Sequence, residues 1–292
     1  MGKIFEAVRK TEGTSLDLER LLPDAGSAQP QHDRLGSPAG SLPIKNGHHG
    51  NPEAPQQQSH IRSVRVSLAQ DEPLLPFDDN FVSSAADQYK IVRTKIAQHT
   101  RKPSILLTSS AGPGDGKSVS AINVAAALAV SPETSVILVD GDFRGANLAS
   151  SLGVSTSSGL SDVLSGKCQL TDAIVRLEPF QGLYLLPTGK TPVNSAELLA
   201  SPLWKTSCAY FREHFRFTVI DSPPVGAVAD YDLLQAACDG VIFVVRPDHT
   251  KRSLCMNAIK ALPKGKLLGV LMNGVDSNFF GKGAGHYYGY GG

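Results

Sequence analysis

The chain has no long apolar run. Its longest apolar stretch, around Ala121 to Val130, is broken by Asn123 and falls far short of the ~20 residues that a membrane span needs. The opening residues, MGKIFEAVRK, lack the apolar centre of a secretory signal, and Glu6 stands where a myristoylated terminus carries Ser or Thr. Cysteine is scarce as well. Cys168, Cys208, Cys238 and Cys255 form no CxxC pair and have no histidine at ligand spacing, which fits idle thiols in a reducing cytoplasm. The pair His48–His49 is too isolated for a metal site. Charge of one sign is missing too: 28 Lys+Arg against 27 Asp+Glu leave a formal +1, so no global field draws in nucleic acid or an anionic membrane. A cytoplasmic protein without a nucleic-acid partner is the expectation.

What is present is material for a core. Hydrophobic residues make up 41% of the 292 and charged residues 19%, enough for one large domain or two small ones. Residues 1–22 hold a short amphipathic segment with Ile4, Phe5 and Val8 on one side. From about Pro23 to His60 the composition turns to Gly, Pro, Ser, Gln, Asn and His, a mixture with too little apolar surface to offset chain entropy, and residues 23–78 read as a disordered linker. A folded domain is expected over 79–277, opening on a helix from Ser83 to Gln98 whose apolar positions are Tyr89, Ile91, Val92 and Ile96. Residues 278–292 form a Gly/Tyr-rich tail with no apolar periodicity.

Within the folded part, six apolar runs end in turn signals: Ile105–Thr108, Val136–Asp140, Leu183–Leu186, Phe217–Asp221, Val241–Val245 and Leu267–Met272. They are rich in Val, Ile and Leu and do not alternate with polar residues, as strands buried on both faces do not. Helical stretches fall between them, at Lys117–Val130, around Asp162–Leu164, and at Ala196–Phe211, Asp230–Ala237 and Lys251–Leu262. Such alternation implies a mainly parallel sheet in a three-layer α/β domain, with chemistry beyond the carboxyl ends of the strands.

The first run leads into SSAGPGDGKSVS. Ala111 to Ser118 fits [AG]-x4-G-K-[ST], a phosphate loop of the P-loop NTPase kind. Gly112, Gly114 and Gly116 let backbone amides curl around an anion, Lys117 supplies a charge for the β and γ oxygens, and the Ser118 hydroxyl can ligate Mg²⁺. The nucleotide-binding stretch is thus Gly112, Pro113, Gly114, Asp115, Gly116, Lys117, Ser118 and Val119, with a helix opening at Lys117 to aim its positive end at the same site. Three carboxylates close neighbouring runs: Asp140 and Asp142 in VILVDGDFRG, and Asp221 in FTVIDSPP. A Mg·nucleotide wants oxygen ligands, and an attacking hydroxyl wants a carboxylate to orient it or take its proton. Asp230 either caps the next helix or senses the nucleotide, Asn273 is either a reader of the adenine edge or a turn residue, and Arg246 either lines the pocket or starts a surface helix.

Taken together these motifs resemble the bacterial tyrosine kinases, the P-loop autokinases of capsule and exopolysaccharide export, from about Ser83 onward. SSAGPGDGKS, VILVDGDFRG and FTVIDSPPVGAVADYDLL match the phosphate loop and the two acidic motifs of that family, and PVNSAELLAS resembles a further short stretch of it. By that likeness Lys117, Asp140 and Asp142 are catalytic, Ser118, Asp142 and Asp221 handle the metal of Mg·ATP, and Tyr287, Tyr288 and Tyr290 are the phosphoacceptors. Asp87, Lys90 and Arg93 stand where the family carries its ExxRxxR subunit-contact helix, implying a homo-oligomer with a ring among the alternatives. The resemblance also implies a separate membrane polysaccharide co-polymerase as activator, an opposing tyrosine phosphatase, and a place at the inner membrane through that partner. The rival resemblance is to the chromosome-partitioning and division-site ATPases, which share these motifs and bind a membrane partner. Many of those carry a second lysine early in the loop, where this chain reads Ala111-Gly112-Pro113.

Overall fold

The computed structural model describes residues 61–68, 84–131, 133–145 and 148–275. Eight strands form one sheet: β1 (Arg62–Arg65), β2 (Ile105–Ser110), β3 (Val136–Asp140), β4 (Val175–Glu178), β5 (Leu183–Leu186), β6 (Phe217–Asp221), β7 (Gly240–Val245) and β8 (Leu267–Met272). Their order is β1-β4-β5-β3-β6-β2-β7-β8. All neighbours are parallel except β4 and β5. Nine helices are described: α1 (Ser84–Ala97), α2 (Lys117–Leu128), α3 (Leu148–Ser151), α4 (Leu160–Leu164), α5 (Leu170–Ala173), α6 (Ser195–Ala200), α7 (Pro202–His214), α8 (Ala229–Ala237) and α9 (Arg252–Ala261).

Period-2 geometry divides each central strand between two cores. Leu106, Val136, Leu138, Phe217, Val219, Ile242 and Val244 face one cluster, with Tyr89, Val92 and Ile96 of α1 and the apolar side of α2. Ile105, Leu107, Ile137, Val139, Ile220, Val241 and Phe243 face the other, with Trp204, Phe211, Tyr231, Leu234 and Cys255 from α7, α8 and α9. This is the three-layer α/β architecture expected from the sequence. Full burial of a leucine or phenylalanine contributes about 1.5–3 kcal/mol, so the two clusters hold the helices on both faces of the sheet.

Four findings correct the sequence reading. The span 23–78 read as linker contains β1, which pairs with β4. The cause is an alternation in IRSVRVSL: Val64, Val66 and Leu68 pack against one cluster and Ile61 against the other. β4, VRLE, is a further strand outside the six expected runs, because its polar residues alternate, as they do near a sheet edge. The single helix expected over Ala196–Phe211 is two, α6 and α7, because Pro202 cannot continue a helix and instead opens a new one. Ile91, read as an apolar contact of α1, is 38% exposed. The segments 1–22 and 278–292 lie outside the described residues.

Candidate active site

The sheet order sets β2 between β6 and β7 and sets β3 beside β6, so the carboxyl ends of four strands converge. The phosphate loop, Ala111–Gly116, joins β2 to α2. Gly114 has φ 79° and Gly116 has φ 86°, left-handed backbone in which a side chain would be strained. A Cβ on Gly116 would also lie 1.8 Å from the Asn273 amide nitrogen. Lys117 opens α2 and is buried, and Ser118 follows it on the first turn.

Asp140 and Asp221 are register partners across β3 and β6, and Thr108 of β2 is the partner of Asp221 on its other side. Both carboxylates are buried. The Ser118 hydroxyl donates to Asp221 Oδ2 at 2.5 Å, and the Ser222 amide donates to Asp221 Oδ1 at 3.1 Å. Burial and the neighbouring Asp140 charge push the Asp221 carboxyl up to about 8, against the pull of Ser118 and Lys117. Burial likewise raises Asp140 to about 6, although the Leu148 amide, 3.2 Å from Oδ2, draws it down. Asp140 Oδ1 is buried without a hydrogen-bond partner among the described residues. Asp142, two residues on, accepts the Arg144 and Gly145 amides on Oδ1 at 3.3 and 2.9 Å, which folds the loop back under its own strand.

The loop Ser222–Val228 after β6 is pinned to β2. Ser222 Oγ donates to Thr108 O at 2.9 Å, Ser109 Oγ to Pro223 O at 2.8 Å, and the Val225 amide to Ser110 O at 2.9 Å. Asp230 is not the cap of α8, since Val228 occupies that position. It is buried in the first turn, with Oδ2 lacking a partner among the described residues. The side chain of Asp115 turns inward, accepting the Gly112 amide on Oδ2 at 3.1 Å and the Thr250 hydroxyl on Oδ1, so it braces the loop. The Asn273 amide nitrogen donates to Asp115 O at 3.0 Å, which places it on the loop backbone. Arg246 reaches Gly114 O at 3.2 Å and His249 reaches Pro113 O at 3.2 Å. The sequence reading named neither His249 nor Thr250. Their one signal was position, in the turn RPDHT just past a strand that neighbours β2.

Elsewhere, Asp87 and Lys90 pair with each other at 2.9 Å on the solvent side of α1, with side chains 65% and 59% exposed. Such a pair contributes little to stability. Arg93, on the same helix, is half-buried beside Thr94, Gln98 and Phe217. Tyr287, Tyr288 and Tyr290 lie outside the described residues.

Ser118, Asp142 and Asp221 offer only oxygen, the donor chemistry that a magnesium ion takes. Lysine and glycine at the mouth of α2, with acidic strand ends on the two strands beside it, define a P-loop nucleotide-binding protein.

Known relatives narrow that class. No protein-family model matches the chain. It is 34% identical over 194 residues to tyrosine-protein kinase YwqD of Bacillus subtilis, covering 65% of this chain and 81% of that protein. Among solved structures, the chimerical protein CapA2B2 matches with a TM-score of 0.64 and 26% identity over 71% of this chain and 92% of its own. The kinase domain of the Escherichia coli tyrosine kinase ETK matches with a TM-score of 0.59 and 26% identity, over 73% and 83% of the two chains. The chain belongs to the bacterial tyrosine-protein kinases, and its enzyme class is phosphoryl transfer to tyrosine. Among the described residues no helix is long and apolar enough to cross a membrane.

Proposed function

We propose that the chain is an ATP-dependent autokinase that phosphorylates its own Tyr287, Tyr288 and Tyr290 in trans and thereby regulates capsule or exopolysaccharide chain synthesis and export. The observation that carries the active-site reading is the register pair Asp140–Asp221, two buried carboxylates on neighbouring strands, with Lys117 at the mouth of the phosphate loop drawing on Asp221. That charge arrangement is uncomfortable without a cation and suits a metal-bound nucleotide. Magnesium held by Ser118, Asp142 and Asp221 would neutralise phosphate charge.

The chain's own residues divide the remaining work. The amides of Gly114, Asp115 and Gly116 and the Lys117 ammonium hold the β- and γ-phosphates. Asp221 orients the Ser118 hydroxyl through their hydrogen bond. Asp140 receives the phenolic proton on Oδ1. As that proton leaves, the tyrosine Oη–Pγ bond forms, the bond from Pγ to the β,γ-bridging oxygen breaks, and ADP departs with the electron pair. A phenol with an ordinary pKa of ~10 is a poor nucleophile without such a base. At about 6, Asp140 is ionised at neutral pH yet basic enough to accept a proton. Positioning and charge neutralisation supply most of the rest.

The acceptor assignment rests on composition and on an exit point. β8 is an edge strand, and Asn273 at its end touches the phosphate loop, so the chain leaves the described fold beside the nucleotide site. Trans transfer calls for a homo-oligomer, for which Asp87, Lys90 and Arg93 are the contact proposed. A membrane polysaccharide co-polymerase would be the activator, holding the kinase at the inner face of the membrane, and a tyrosine phosphatase would reverse the mark.

Incubation of the purified chain with Mg·ATP, followed by mass spectrometry of the C-terminal peptide, tests this reading. Phosphate on the three tyrosines is expected, lost in Lys117→Met and in the triple Tyr→Phe variant. Phosphotyrosine surviving in the triple variant overturns the acceptor assignment. ATP hydrolysis with no phosphotyrosine overturns the autokinase.

A further inference from the structure

The turn after β7, Arg246 to Thr250, is built tightly for a surface loop. The amides of His249 and Thr250 both donate to Arg246 O, at 3.3 and 3.1 Å. Asp248 sits at φ 62°, a left-handed conformation that costs a non-glycine residue about 1–2 kcal/mol. Something must hold it there. Its side chains fan onto the phosphate loop, more than a hundred residues away in sequence. His249 Nε2 donates to Pro113 O at 3.2 Å, and Arg246 Nη1 donates to Gly114 O at 3.2 Å. From the end of β8, Asn273 Nδ2 donates to Asp115 O at 3.0 Å. Thr250 donates to the Asp115 carboxylate, whose other oxygen takes the Gly112 amide at 3.1 Å.

Three consecutive carbonyls are therefore held by side chains outside the loop. In a trans peptide the N–H points opposite to the carbonyl of the same plane. The amides of Gly114, Asp115 and Gly116 are thus turned away from these partners. A glycine-rich loop left to itself samples many conformations and must lose that freedom when an anion binds.

We propose that Thr250 and His249 are positioning residues for phosphoryl transfer: Thr250 through Asp115, the strut that links it to Gly112, and His249 through Pro113 O, they preset the loop's amides for the phosphates of a nucleoside di- or triphosphate. This rests on the phosphate-loop reading and extends it to residues that touch no substrate. Thr250 has the larger effect, because it holds the strut that also fixes Gly112. His249, exposed and bonded to a single carbonyl, has the smaller one.

The test is calorimetric titration of the full chain with ADP, alongside melting without nucleotide and steady-state kinetics, for wild type, Thr250→Val, Thr250→Ser and His249→Ala. Thr250→Val keeps the shape and removes the hydroxyl. It is expected to weaken ADP binding and raise the ATP KM about tenfold, with kcat little changed and the melting temperature without nucleotide within about 2 °C of wild type. Thr250→Ser restores affinity, and His249→Ala loses about threefold. A Thr250→Val variant that binds ADP as tightly as wild type overturns the proposal. So does a loss of affinity that follows melting temperature and is equal in the Ser variant. Absence of ADP binding by the wild type would overturn the phosphate-loop reading and this one with it; unchanged binding in Thr250→Val overturns this one alone.

Discussion

Replacing Asp221 by Asn is expected to remove most of the pH dependence of stability between pH 6 and 8 in the nucleotide-free protein. The Asp221 carboxyl is fully buried, and desolvation with the adjacent Asp140 raises it from 3.8 to about 8. The folded chain therefore holds this proton more tightly than the unfolded chain does. The stabilisation is complete below about pH 4, declines as pH rises, and is gone once pH passes about 8. Between pH 6 and 8 a group at about 8 loses about 2 kcal/mol of that stabilisation, which corresponds to a fall of roughly 4–8 °C in melting temperature for a domain of this size. Asp140, raised to about 6, titrates in the same sense but mostly below this window. Asparagine preserves the local bonds: its Oδ1 still accepts the Ser222 amide, and its Nδ2 donates to the Ser118 oxygen that formerly donated to it. Circular-dichroism melting of wild type and Asp221→Asn at pH 6, 7 and 8 is the assay, and the difference between the two proteins cancels the histidines. Parallel curves with the same pH slope would refute the buried-proton argument. The same logic makes the rise in melting temperature on adding Mg·ATP larger at pH 8 than at pH 6.

Gly116→Ala is expected to abolish measurable nucleotide binding, because φ 86° and the Asn273 amide both exclude a Cβ there. Adding Asn273→Ala opens the space but leaves the left-handed backbone, so calorimetry of the double variant should show no rescue. At the opposite end of the sheet, Asp239 accepts the Ser104 and Ile105 amides at 2.8 and 2.9 Å and pairs with Arg212 at 2.8 Å. Asp239→Ala is expected to cost about 2–3 kcal/mol in urea unfolding by leaving two amides unpaired, while nucleotide affinity at 10 °C stays that of wild type.

The site's first half was legible because it is local. Eight consecutive residues, Ala111 to Ser118, define the loop by spacing alone, and an aspartate closing a buried strand marks its own position at the sheet's ligand-binding end. What lay across the chain was not legible. Thr250 and Asp115 are 135 positions apart and meet only because β7 pairs with β2, a fact of strand order that no local period carries. The assignment of Asp115 to the nucleotide came from motif membership, whereas its burial turns the side chain into a brace. At the sheet's far edge, β1 was hidden because four residues among polar neighbours resemble the linker around them. Its pattern of Val64, Val66 and Leu68 has a period too short in extent to stand out. The break between α6 and α7 was visible in principle, in Ser201–Pro202, but the apolar spacing on either side masked it.

The clasp on the phosphate loop also governs where the chain tolerates change in length. A turn that must deliver His249 and Thr250 to fixed carbonyls cannot gain or lose a residue without losing its aim, and the same holds for the step from Met272 to Asn273. Turns at the other pole, such as Pro263 to Lys266, bond to Cys238 and Val241 but deliver no side chain to the phosphate loop. Insertions and deletions among related chains should therefore gather at one pole of the sheet, leaving the other with a fixed residue count even where residue identity drifts.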